Sequence, residues 1–217
     1  ELVAYLKGFV PDSRSWDGPT YRGLASSISA AVRASEDGFA RRIGLFADLA
    51  RPYQHGLLRG LKERWSDDKR DINWPATLSL MQAIVSSPAF RADFAADPPE
   101  RWEPSVRWVV SDIADLLKGA SGTEWHVPSE LHKSCIEVLR LVLDAIPTEA
   151  GQSNDAVSHA INSPRGRALE SFIHLALAMR RIEIAAKSGS DETWVAVGPV
   201  FDAELVTSES GLNADFS

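Results

Sequence analysis

The stretch that most limits how this chain can fold is residues 159–187, HAINSPRGRALESFIHLALAMRRIEIAAK. Asn162 and Ser163 precede Pro164. This is the order of a polar cap followed by proline at the first helical position, where a missing N–H costs nothing. From Leu169 to Met179 the pattern is apolar on almost every side. A helix of that kind is one that other helices surround. The pattern therefore predicts a long central helix with Leu169, Phe172, Ile173 and Ala176 buried.

The rest of the chain supplies helices to surround it. Residues 2–9 read as the end of a helix closed by Gly8 and Pro11. Thr20 can cap a second helix carrying Leu24, Ile28, Ala31 and Val32 at 3-4 spacing. A third is expected from Ser35 onward with Phe39, Ile43, Phe46 and Leu49 on its face, broken at Pro52. Tyr53, Leu57, Leu58, Leu61 and Trp65 then form the next face, and Asn73 can cap the helix after that, with Pro75 in its first turn. Residues 86–100 carry three prolines and predict a turn or two of helix at most. A helix from Pro104 puts Val106, Val109, Val110, Ile113, Leu116 and Leu117 inward and stops at Gly119 as a glycine cap. Another, from Pro128 to Pro147, buries Cys135, Val138, Leu139, Val142 and Leu143. Asn154 can cap a short helix before the long one, and Pro199 can open a last one. The best strand candidate is TWVAV at 193–197, and no stretch shows sustained alternation. About ten helices with short loops predict an all-α fold, an irregular helical array or HEAT-like α-solenoid, over residues 1–217 as one helical domain. No tetratricopeptide or ankyrin consensus occurs, while HEAT repeats have a consensus weak enough to be compatible.

Totals exclude several classes. The formal net charge is −7 with a pI near 5.3, which argues against nucleic-acid binding as the main role. That alternative would need Arg41, Arg42, Arg59, Arg64, Arg180 and Arg181 to converge on one concave face. No apolar run approaches the roughly 18 residues of a membrane span. A single cysteine, Cys135, forms no internal disulfide and fits a reducing, cytoplasmic setting. The chain opens on Glu1 in mid-pattern, without methionine, and reads as a fragment of a longer protein.

Standard chemical motifs are missing: no H-E-x-x-H, no G-x-S-x-G, no phosphate-binding G-x-x-x-x-G-K-[ST] and no G-x-G-x-x-G. His126 and His132 with Glu124 and Glu130 are the nearest approach to a zinc set, and nothing in their spacing forces one. The expectation is therefore a region with no catalytic residues, no metal and no cofactor. A hydrolase with a site assembled from distant residues remains the alternative, to be recognised by a pocket holding a histidine beside a carboxylate. The constellation that carries most interest is Arg165 and Gly166 in the first turn of the long helix, with Arg167, Glu170, Ser171, His174 and Arg181 near one stripe of it. Open N–H groups there, with Arg165 and Arg167, could hold an anion or a partner's carboxylate. The competing structural reading pairs Arg167 with Glu170 or with an acid on an adjacent helix. Among seven tryptophans, Trp125 and Trp194 stand where an indole can face a partner. Arg165, Arg167, Trp125 and Trp194 are the predicted partner contacts.

The segment INSPRGRALESFIHLAL, residues 161–177, resembles a recurrent element of helical-repeat regions in large bacterial proteins, familiar from STAND-type NTPases and related anti-phage defence proteins. FADLARPYQHGLLRGLKE, residues 46–63, has a similar character. The resemblance covers about a quarter of the chain and brings no catalytic residue with it. It implies a protein-interaction, scaffold or sensor region, with any NTPase or effector activity encoded outside it. The expected partner is a protein or another domain of the same chain.

Overall fold

The computed structural model describes residues 1–11, 18–34, 39, 42–67, 72–96, 104–122, 127–147, 162–187, 189 and 191–214, with side chains to 203. The fold is all-α. Among the described residues there are nine α-helices: α1 Leu2–Gly8, α2 Tyr21–Ala34, α3 Arg51–Ser66, α4 Trp74–Ser86, α5 Pro88–Ala96, α6 Val106–Gly119, α7 His132–Ala145, α8 Pro164–Ala185 and α9 Glu192–Ala214. Short 3-10 turns at Ile43–Phe46 and Ser129–Leu131 lead towards α3 and into α7.

Helix starts follow side-chain chemistry. Gly23 N–H donates to Thr20 Oγ1 at 3.0 Å, Ala76 N–H to Asn73 Oδ1 at 3.2 Å, and Gly166 N–H to Ser163 Oγ at 3.0 Å. Each satisfies one of the first-turn donors that no helical carbonyl can reach. Pro52, Pro75 and Pro164 all sit in first turns. Ser105, rather than Pro104, caps α6, accepting from Arg107 N–H at 3.3 Å.

Several elements depart from the sequence pattern. Of the helix expected through Phe39–Leu49, Phe39 is helical and Ile43–Phe46 form a 3-10 turn, with Ile43, Phe46 and Leu49 buried as the spacing requires. Residues 88–96 form more than two turns, because Pro88 falls where proline initiates. Gly119 is helical and Ala120 is the cap; no described glycine has positive φ. The TWVAV segment is helical, and Pro199 lies inside α9 instead of opening a separate helix. The short helix expected from Asn154 falls outside the described residues.

Two rows of helices result. In one, α2 packs on α3, α3 on α6, and α6 on α8; in the other, the first 3-10 turn packs on α4, α4 on α7, and α7 on α9. The rows meet most closely where α7 packs on α8. Buried side chains from Leu6 to Val197 form one contiguous cluster. Tyr53, Leu57, Leu58 and Leu61 of α3 and Val109, Val110, Ile113 and Leu116 of α6 are wholly enclosed. Each such burial stabilises by roughly 1.5–3 kcal/mol. Trp65 ties α3 to the end of α6 by donating Nε1–H to Gly119 O at 3.0 Å, and its ring meets Trp74 edge-on at 5.1 Å.

The long helix α8 is not enclosed all round. Phe172 and Ala176 are buried and Leu169 is partly so, but Ile173 is 44% exposed and Leu177 51%. The expectation for Ile173 is therefore wrong. Neighbours α6, α7 and α9 cover part of the circumference, and the chain supplies too few described helices to close the rest.

Candidate functional site

Two surfaces concentrate chemistry. The first lies between α3, α6 and the start of α8. His55 and Lys62 stand two turns apart on α3, while Trp108, Asp112 and Asp115 stand at 3-4 spacing on one face of α6. Packing α3 on α6 brings the two sets together. His55 Nδ1 lies 2.5 Å from Asp112 Oδ2, with side-chain exposures of 9% and 7%. Trp108 meets the His55 ring edge-on at 5.1 Å. Lys62 Nζ sits 3.1 Å from Asp115 Oδ2 and 3.8 Å from Asp112 Oδ1. Arg167, from the first turns of α8, reaches Asp115 at 3.5 Å.

Burial pushes the Asp112 carboxyl up from its ordinary range; the hydrogen bond and charge of His55, and the charge of Lys62, pull it back. The pair is satisfied internally, which is what a buried carboxylate requires. The other ring nitrogen of His55, Nε2, has no hydrogen-bond partner among the described residues. The ring lines a cleft of about 630 Å³ and an adjoining one of about 390 Å³, which share Arg59, Glu63 and Trp108 as well. A histidine oriented by a carboxylate at one nitrogen and open at the other is arranged to take, give or share a proton.

The stripe on α8 resolves into contacts with α6. Arg167 pairs with Asp115, Glu170 accepts from Lys118 Nζ at 2.5 Å, and Ser171 Oγ donates to Ala114 O at 2.6 Å. His174 and Arg181 are exposed. Arg165 faces the other way: its Nη1 donates to Leu143 O at 2.9 Å and Ile146 O at 2.7 Å, satisfying carbonyls at the end of α7. Arg165 and Arg167, two residues apart, are thus divided between opposite neighbours. The arginines that nucleic-acid binding would need are dispersed in role. Arg64 is buried and donates to Arg33 O, Arg59 pairs with Glu63, and Arg180 pairs with Glu183. Arg41 lies outside the described residues.

The second surface is apolar. Ile173, Leu177 and Ile184 of α8 are exposed, and beside them Trp194 is 61% and Val195 74% exposed on α9. Ile173, Leu177, Trp194 and Phe201 line a groove of about 370 Å³ with Arg180 and Asp191 at its rim. Trp194, one of the predicted contacts, is exposed in this groove; Trp125 lies outside the described residues.

The pattern did not single out His55 and Asp112, because 57 residues separate them. One signal was present: Asp112 interrupts a face otherwise made of Val109, Ile113 and Leu116, and an acid on a core face needs a partner. Comparison with protein-family models, with curated proteins and with solved structures finds no match to this chain.

Proposed function

We propose that these residues form a non-catalytic protein-interaction or scaffold region, arranged as a HEAT-like or irregular helical array within a larger bacterial protein of the STAND or anti-phage defence kind. The observation that carries the reading is the uncovered apolar face of α8 and α9. Ile173, Leu177 and Trp194, between 44% and 61% exposed, line one groove, and Ile184 and Val195 on the same two helices are exposed as well. Soluble surfaces keep apolar groups scattered, and a contiguous set on two neighbouring helices is what a docking partner covers. The groove between Leu177 and Trp194 suits the apolar stripe of an amphipathic helix, contributed by another protein or by another region of the same one. Two rows of successive helices support the HEAT-like arrangement. No described helix is long and apolar enough to cross a membrane.

A photo-crosslinking residue placed at Leu177 in the native protein, expressed in its own cell, tests this. Cross-links to a defined polypeptide segment are expected at position 177 and not at the exposed position of Arg140 on α7. No cross-link at 177 sinks the reading.

A hydrolase is the second reading, favoured by His55 beside Asp112 in a cleft. The serines lining this cleft are engaged: Ser111 Oγ donates to Arg107 O and Ser163 Oγ caps α8. Cys135 is not part of the cleft's lining, and burial pushes its thiol up to about 12. Hydrolysis here would therefore use water activated by His55. Turnover of p-nitrophenyl acetate or phosphate that vanishes in His55→Gln would establish it, and no turnover above buffer would dismiss it.

A further inference from the structure

His55 leaves a chemical demand open. Its ring is enclosed, one nitrogen is taken by Asp112, and Nε2 has no partner among the described residues. That nitrogen opens onto the cleft, where water or a ligand completes its hydrogen bonding. The surroundings select the sign of that ligand. In a chain of net charge −7, the described lining of this cleft has four cationic side chains and three carboxylates, with Arg59, Lys62 and Arg167 paired to those acids and a surplus of one positive charge. Asn162, Ser163 and Pro164 bring the positive end of the 22-residue α8 to its edge.

We propose that the cleft between α3, α6 and the first turn of α8 binds a small phosphate monoester, with His55 Nε2 and the Arg167 guanidinium on the phosphate oxygens. A phosphate suits this site better than a carboxylate for a reason of proton supply. When Nδ1–H is donated to Asp112, a neutral ring offers Nε2 only as an acceptor, while Arg167 and Lys62 offer only donors. Near pH 6, its second pKa, roughly half of a phosphate monoester carries an O–H beside anionic oxygens and meets both demands. A carboxylate at that pH has no proton for Nε2. If the ring is protonated, Nε2 donates and phosphate still fits. A volume of about 630 Å³ admits a metabolite-sized ester. Trp108, 40% exposed, gives an aromatic surface for the organic part. None of these residues belongs to the apolar groove of α8 and α9, so the proposal stands or falls separately from the docking reading.

Titration calorimetry near pH 6 and at low ionic strength with inorganic phosphate, AMP and acetate tests the site, alongside the imidazole nitrogen signals of the wild-type protein. Phosphate and AMP should bind while acetate does not, and the Nε2 signal of His55, assigned by His55→Gln, should move on phosphate addition. Arg167→Gln should weaken AMP binding about tenfold or more, and Arg140→Gln should not change it. Circular dichroism confirms that Arg167→Gln is folded, and the wild-type Nε2 signal does not depend on that variant. Three results would overturn the proposal: no heat with phosphate or AMP, acetate binding as tightly as phosphate, or a His55 Nε2 signal indifferent to phosphate.

Discussion

Gly60 of α3 faces Ser29 of α2 so closely that a methyl group on Gly60 would lie 2.7 Å from the Ser29 carbonyl oxygen and 2.8 Å from Val32 Cβ. Gly56, one turn earlier, meets the Ala25 carbonyl at still closer range. Four residues apart, the two glycines share one face of α3 and let two backbones touch. Gly60→Ala should therefore cost about 1–3 kcal/mol, since the obstacle is backbone and cannot turn aside. Gly44→Ala, where nothing lies within 4 Å, should change little. Equal melting temperatures for the two variants would mean that α2 and α3 are not in this contact.

Tyr53 supplies a second prediction of the opposite sign. Its ring is wholly buried and its hydroxyl has no hydrogen-bond partner among the described residues. Burial pushes the phenol up to about 12. An enclosed, unpaired hydroxyl is destabilising, so removing it should not weaken the fold. Tyr53→Phe is expected to melt at the same temperature as wild type or a few degrees above. A clear loss of stability would show that the hydroxyl has a partner.

These two helices show what a sequence discloses. The apolar rows of α3, α6 and α7 were legible because 3-4 spacing marks an inward face whatever lies opposite. Caps at Thr20, Asn73 and Ser163 were legible because they depend on three or four consecutive residues. The glycine contact was not, since Gly56 and Gly60 matter only once α2 is known to be the neighbour. His55 and Asp112 escaped for the same reason. Ile173 misled because periodicity says which residues are apolar, not how many neighbours are present to cover them.

Arg165 illustrates the division between structural and contact roles. Its guanidinium holds the Leu143 and Ile146 carbonyls, the free end of α7. Charge-assisted hydrogen bonds of this kind contribute about 1.5–3 kcal/mol. Arg165→Met should lower the melting temperature by roughly 3–12 °C for a chain of this size, and Arg165→Lys should recover part of it. A partner contact would behave differently, with binding lost and melting unchanged.

Asp112 gives the pH prediction. Burial raises its carboxyl; His55 and Lys62 oppose that, and Asp115 adds to it. An unfolded aspartate has a pKa near 3.9. Between that value and the raised folded one, the native state holds a proton that the unfolded chain has released. Stability linked to this group is therefore full at low pH and falls as pH rises through the folded pKa. Asp112→Asn keeps an oxygen to accept from His55 Nδ1–H but cannot ionise, so it lacks this slope. Urea midpoints measured from about pH 4 to pH 8 should show wild type losing stability relative to Asp112→Asn as pH increases. A difference that stays constant would mean that the carboxyl ionises alike in both states. A difference that grows in favour of wild type would mean that the ion pair with His55 and Lys62 outweighs the burial.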